Sequence, residues 1–178
     1  MKLSPVNTQF ILHWGEMGTR WGVNRTVAQV HALLYLSPQP LNAETIAETL
    51  SVARSNVSTS LRELQGWGIV KPVHLLGDRR EHYEAMKDVW EMARIILDER
   101  KRREIDPTVG LLRECTAQLK KGEAPDAVTL GRLEEMLGFL EGMTSLYEEL
   151  RHLPVGTARK LVKWRGRLRK LLDAGLAS

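Results

Sequence analysis

Apolar residues recur at helical spacing along most of the chain, which predicts a mainly α protein. Two stripes open the sequence, and breakers at residues 22–24 and 37–40 separate them from each other and from the rest of the chain. The first stripe consists of Phe10, Trp14, Met17 and Trp21, and the second of Val23, Val27, Val30 and Leu34. We therefore expect one helix over about residues 7–21 and a second one ending before Pro38.

The next segment predicts a short helix, a tight turn and another helix. Asn42 is a good N-cap, and Leu41 before it can pack on Ile46. Residues 51–53 leave room only for a turn. Apolar positions then recur at spacings of four and three, until glycines end the helix at residues 66–68. These positions are Val57, Leu61 and Leu64.

The pattern changes after residue 68, where β-branched and alternating residues predict two strands. They cover residues 69–74 and 81–85, and the turn between them carries Arg79 and Arg80. From Asp88 onward the pattern is helical again, with a helix restart at Asp106-Pro107 and a linker at residues 121–125. A long helix over residues 126–151 and a basic last helix complete the prediction.

This order of elements predicts a winged helix-turn-helix followed by a helical dimerisation region. We place the first over residues 1–104 and the second over residues 105–178. A helix can enter the major groove only if another helix packs against its inner face and its outer face remains exposed. The outer face of the helix after the turn offers short polar side chains and arginines, which suit phosphates and base edges. The expected DNA-binding residues are Arg54, Ser55, Asn56, Ser58, Thr59, Arg62, Arg79 and Arg80.

The amino-acid composition is compatible with a polyanionic partner but does not require one. The net charge is +4, and the stretch after residue 150 is the most basic part of the chain. No apolar run approaches the roughly 20 residues that span a bilayer, and no export signal is evident at the start. A single cysteine, Cys115, excludes an internal disulfide. We expect a cytoplasmic protein that does not bind membranes.

The segment from Leu41 to Leu50, followed by Arg54-Ser55-Asn56-Val57-Ser58, resembles the helix-turn-helix of the MarR superfamily. The continuation from Gly77 to Ala85, then Lys87-Asp88-Val89-Trp90, resembles the GbsR branch more closely. The resemblance implies a homodimer that binds a pseudo-palindromic operator in double-stranded DNA, usually as a repressor. It also implies that Asp78 orients a wing arginine. Family members often respond to small molecules, and some in this branch respond to choline.

Weaker signals each have a plain structural explanation beside the functional one. Trp14, Trp21 and Trp90 could form an aromatic cage for a quaternary ammonium effector, although core packing explains such a stripe more often. Cys115 lies at an apolar position, where a thiol is usually inert rather than a redox sensor. His74 and His82 flank the hairpin without a third ligand, so we expect no metal and no cofactor.

Three function classes remain open from sequence. The first is the sequence-specific regulator, and the second is an architectural or chromosome-associated protein that binds DNA without sequence preference. The third is a winged helix that binds only proteins, which the exposed Arg54, Asn56 and Arg62 disfavour. No nucleophile elbow, P-loop or zinc-protease motif occurs, so we expect no enzyme.

Overall fold

A computed structural model describes residues 3–121, 126–154, 156–157 and 160. The chain divides into two compact units, Met1–Ile96 and Leu97–Ser178. The elements of the first unit are α1 (Pro5–Arg20), α2 (Arg25–Leu36), β1 (Leu41–Asn42), α3 (Ala43–Leu50), α4 (Arg54–Gly66), β2 (Val70–Val73) and β3 (His82–Ala85). Helix α5 (Val89–Arg100) follows, then a π-helical segment (Lys101–Ile105), α6 (Asp106–Lys121) and α7 (Ala127–Arg151). None of the helices in the described ranges is both long enough and apolar enough to cross a membrane.

Helix α2 is the centre of the first unit and is buried on almost every side. Val30, Leu33 and Leu34 are at most 1% exposed. Helix α1 packs along it through two glycines, because a Cβ atom on Gly18 would lie only 2.5 Å from the Cβ of Ala28. The buried line of α1 is therefore Ile11, Gly15 and Gly18. The predicted stripe flanks this line: Phe10 and Trp14 are half-buried against the core, whereas Trp21 at the end of the stripe is 50% exposed.

The helix-turn-helix forms as the sequence predicts. The Oδ1 atom of Asn42 accepts a hydrogen bond from the backbone N–H of Thr45, 2.9 Å away, and starts α3. Ser51 ends α3 in the left-handed conformation, with φ of 54°, and so turns the chain sharply toward α4. Helix α4 then buries Val57, Leu61 and Leu64, at 2% exposure or less, against α2 and α3.

The wing is part of a three-stranded antiparallel sheet in the order β1-β3-β2. Strands β2 and β3 form the predicted hairpin, in which Val70 pairs with Ala85 and Val73 with His82. Gly77 has φ of 84° in the connecting turn, a conformation that favours glycine. Strand β1 was not predicted, because it has only two residues and its partner, His82-Tyr83, lies forty positions away.

The described part of the second unit is helical apart from residue 126 and residues 152–154. Helical hydrogen bonding runs without a gap from α5 through the π-helical segment into α6, so Asp106-Pro107 does not restart a helix after a break. Pro107 has no N–H to donate, and the wider π turn before it, with the N–H of Asp106 bonded to the carbonyl of Lys101, accommodates that loss.

Helix α7 packs on α6 through a half-buried stripe that agrees with the prediction for Leu130, Leu133, Leu137, Leu140 and Tyr147. Leu150, predicted to face inward with them, is instead 53% exposed. Ion pairs join the two helices, with 2.7 Å between Arg113 and Glu141. The predicted linker at residues 121–125 and the predicted basic last helix lie largely outside the described residues.

Candidate nucleic-acid interface

Helix α4 presents one buried and one exposed face, and the polar residues expected to meet DNA all lie on the exposed one. These residues are Arg54, Ser55, Asn56, Ser58, Thr59 and Arg62. The helical period places them there, because positions 57, 61 and 64 are taken up by the core. Their role in DNA binding stays a prediction, and the geometry fulfils its first requirement, an unobstructed face.

The first turn of α4 is open to an anion. Its N-cap is Ala53, which has no side chain that could accept a hydrogen bond from the N–H groups of that turn. Asn24, Asn42 and Asp126, by contrast, cap their own helices with side-chain oxygens. A phosphate at the start of α4 would therefore meet N–H donors and the positive end of the helix dipole together.

The wing holds its two arginines differently. The guanidinium of Arg80 donates to both carboxylate oxygens of Asp78, at 2.6 Å in the shortest case, and its backbone N–H donates to the same group at 3.0 Å. These hydrogen bonds lower the pKa of Asp78 well below its ordinary value and raise the pKa of Arg80. Arg79 is exposed and makes no ion pair among the residues that the structure describes.

His82 contacts the wing residues Asp78 and Arg80 from a buried position, a role that sequence reasoning missed. Its ring is buried, with Nδ1 3.0 Å from the backbone carbonyl of Arg80 and Nε2 3.5 Å from a carboxylate oxygen of Asp78. Beside it, the hydroxyl of Tyr83 donates to the carboxylate of Glu81, and burial together with that hydrogen bond raises the pKa of Tyr83 to about 12. The alternation of residues 81–85 predicts a strand but could not reveal these contacts.

Glu44 of α3 connects the helix and the wing. One carboxylate oxygen lies 3.0 Å from Nη1 of Arg54, and the other lies 3.8 Å from Nη1 of Arg80. Sequence spacing gave no sign of this contact, because the three residues come from separate elements. The predicted face is therefore a connected surface, with cations from α4 and from the wing meeting around one carboxylate.

The three tryptophans proposed as an effector cage differ in their surroundings. Trp14 packs against the core and stacks on Phe10, with 5.5 Å between the ring centroids. Trp21 meets Trp14 edge to face at 6.4 Å. Trp21 and Trp90 are 50% and 37% exposed. The structure thus joins two of the three rings and gives Trp14 a packing role.

The remaining candidate residues have ordinary surroundings. Cys115 is a free, half-buried thiol on α6. His74 is exposed beyond the end of β2. No group of three or more metal-binding side chains occurs within the described ranges.

Parts of this chain are similar to known proteins in sequence and in fold. Residues 21–81 match the family model described as MarR family. The HTH-type transcriptional repressor GbsR of Bacillus subtilis (strain 168) is 24% identical over 101 residues, which cover 57% of this chain. That alignment spans 56% of the repressor's own length. A crystal structure reported as a transcriptional regulator has a TM-score of 0.64 and 19% identity, covering 88% of this chain and 99% of its own, and it supports the fold.

Proposed function

We propose that the protein is a homodimeric transcriptional repressor of nearby genes, a function supported by the match of residues 21–81 to the MarR family model. In this proposal α4 reads base edges in the major groove, and the wing around residues 77–81 contacts the backbone or the adjacent minor groove. DNA binding belongs to residues 1–104 and dimerisation to residues 105–178. The GbsR relative, itself a repressor, supports the direction of regulation.

One observation carries the proposal: a helix whose buried side is fully packed presents an all-polar outer side next to a wing with two arginines. A protein-binding winged helix would need exposed apolar side chains on α4, and its exposed positions carry none. If α3 lies across the phosphate backbone, this face of α4 is the part of the described chain that enters the major groove.

The test is selection of bound duplexes from a genomic or random library, followed by affinities for the selected site and a scrambled duplex at one fixed salt concentration. A specific regulator should prefer its site by about a thousandfold or more. A ratio near one would favour the architectural function instead. If the protein bound no duplex, the result would favour the third function class, a winged helix that binds only proteins.

Side-chain roles within the site can be separated by the same paired affinities. We expect Arg62→Ala or Asn56→Ala to cost about 1–3 kcal/mol on the selected site and much less on the scrambled duplex. Arg79→Ala should weaken both equally and reduce the salt slope by about one unit, because Arg79 is free to meet a phosphate. Equal losses on both duplexes for Arg62→Ala would show that this residue only positions the protein.

The dimer is supported by a second apolar stripe on α7, which remains half exposed in the part of the chain that the structure describes. Its members are half exposed, between 49% and 65%, and recur at alternating spacings of three and four. They are Met136, Phe139, Met143, Leu146 and Leu150. Such a heptad-like stripe is typical of a helix that pairs with a second helix. A two-fold dimer would place two copies of α4 about 34 Å apart, one turn of DNA.

Sedimentation equilibrium tests the dimer. The wild type should sediment at twice 20.2 kDa, and Phe139→Asp should shift it toward the monomer by placing a charge in the stripe. Ser145→Asp adds the same charge on another side of α7 and should leave the dimer intact. A monomeric wild type at micromolar concentration would contradict the proposal.

We also propose that a small-molecule effector modulates DNA binding, with a quaternary ammonium compound as the first candidate. The support is the half-exposed ring of Trp21, which packs edge to face against Trp14, since aromatic ring faces bind such cations. Titration with choline should change tryptophan fluorescence in the wild type and not in Trp21→Leu. An unchanged wild-type signal up to millimolar choline would remove this candidate.

A further inference from the structure

The carboxylate of Glu44 occupies the position at which two DNA-contacting arginines meet. Arg54 opens α4 and Arg80 belongs to the wing, yet each approaches a different oxygen of the same side chain, at 3.0 and 3.8 Å. The arginines approach the carboxylate from two directions. A DNA phosphate, which also carries negative oxygens, would attract both guanidinium groups in the same way.

These ion pairs are weak enough to be exchanged. The side chains of Arg54, Glu44 and Arg80 are 68%, 47% and 57% exposed, so water screens their attraction. Arg80 also donates closer hydrogen bonds to Asp78, at 2.6 Å in the shortest case, and these do not involve Glu44. Arg54, in contrast, pairs with Glu44 alone among the residues that the structure describes.

A simpler role for Glu44 would be favourable interaction with the helix dipole, because it lies in the first turn of α3. That role requires only a negative charge near the helix start. It does not account for a carboxylate whose two oxygens face arginines of two other elements. The two roles differ in their effect on DNA binding, so they can be separated.

We propose that Glu44 is an internal competitor for DNA phosphate, which neutralises Arg54 and Arg80 in the free protein and must be displaced when DNA binds. This inference rests on the proposed DNA-binding function. Displacement costs free energy on every duplex, since all sequences have the same backbone. On the operator, base contacts by α4 add to the phosphate contacts and offset that cost, whereas on other DNA the phosphate contacts alone oppose it. Glu44 thereby keeps binding to the many non-operator sites of a genome weak.

The experiment measures binding of the full chain to a random-sequence duplex over a series of salt concentrations. Glu44→Gln preserves the shape of the side chain and removes its charge. We expect it to bind about three- to tenfold more tightly than the wild type, with a salt slope steeper by about one unit. Most of this gain should disappear when Arg54→Gln is also present, because Arg54 makes the closer of the two pairs.

Glu48→Gln is the matched control. Glu48 is exposed on the same helix, one turn further on, and makes no ion pair among the described residues. The control changes the net charge by the same amount and should alter affinity less than twofold. The difference between the two variants therefore isolates the contact with the arginines from the general effect of charge.

Two results would overturn the inference while leaving DNA binding intact. One is a Glu44→Gln variant that binds no more tightly than Glu48→Gln. The other is a Glu44→Gln variant that binds more weakly than the wild type or only melts at a lower temperature, which would assign Glu44 a supporting or helix-stabilising role. A wild type that binds no duplex even at low salt would instead refute the proposed function itself.

Discussion

Acid should destabilise this protein through one buried histidine. His31 lies in the middle of α2 and is 4% exposed, and its Nε2 atom has no hydrogen-bond partner among the residues that the structure describes. Its ring lies between Trp14 and Tyr35, at centroid distances of 6.4 and 6.2 Å. Burial, and secondarily the charge of Lys87, lower the pKa of His31 from 6.5 to about 4.

The sign and size of the effect follow from proton linkage. Above pH 6.5 the histidine is neutral in both the folded and the unfolded chain, so its protonation costs nothing. Below pH 6.5 the unfolded chain binds a proton that the folded chain excludes until about pH 4. Each pH unit in this window is worth about 1.4 kcal/mol, so the free energy of unfolding should fall by about 3 kcal/mol across it.

The assay is urea denaturation followed by circular dichroism at several pH values between 7.5 and 4, at constant protein concentration. His31→Phe keeps an aromatic ring between Trp14 and Tyr35 and removes the titrating group. The wild type should lose about 3 kcal/mol more than this variant over the window. His13→Gln, at an exposed position of α1, should retain the wild-type dependence.

Because the carboxylates of the protein titrate equally in all three proteins, their contribution cancels in the comparison. Parallel stability curves for the wild type and His31→Phe would refute the reasoning. They would mean that water or a local opening admits the proton to His31 in the folded protein.

Three further predictions concern the contact between α1 and α2, helix propensity in α6 and the lysine that binds the end of α2. Gly18→Ala should destabilise the protein by about 1–3 kcal/mol, because its Cβ would meet the stiff Cβ of Ala28 on the facing helix. Gly110→Ala, at an open helical position, should instead stabilise it by about 0.5–1 kcal/mol, and thermal denaturation measures both. Lys87→Met should lower the free energy of unfolding by about 1–3 kcal/mol, because three carbonyls lose their hydrogen-bond donor. Lys71→Met breaks only an exposed ion pair and should lower it by less than about 1 kcal/mol. Urea denaturation at pH 7.5 measures both. A Lys87→Met variant as stable as Lys71→Met would show that water replaces the ammonium group.

Sequence predicted the parts of this molecule that local chemistry determines. The cap at Asn42 and the spacing of Val57, Leu61 and Leu64 depend on successive residues about one helical turn apart, and the structure confirms both. The exposed face of α4 followed from the same spacing. The wing hairpin was predictable because Gly77 and the alternation around it are also local signals.

Sequence did not predict contacts that join distant segments. The closest line of contact between α1 and α2 was missed because Gly15 and Gly18 allow close approach without adding apolar character. Strand β1 and the position of Glu44 depend on partners from other elements. Helix propensity also could not show that Pro107 lies in a continuous helical run, because the π turn that accommodates it depends on the backbone bond from Asp106 to Lys101.

The ammonium group of Lys87 also has a consequence for how the first unit opens. It donates hydrogen bonds to the carbonyls of Leu34, Tyr35 and Ser37 at 2.7 to 2.9 Å. These bonds connect the end of α2 to the segment after β3, about fifty positions later in the chain. A helix end normally frays, and its amide protons exchange with water long before those of the helix centre. Here the last turn of α2 cannot fray without also releasing the segment that follows β3. The amides of that turn should therefore exchange with deuterium as slowly as those around Val30, in a single cooperative opening.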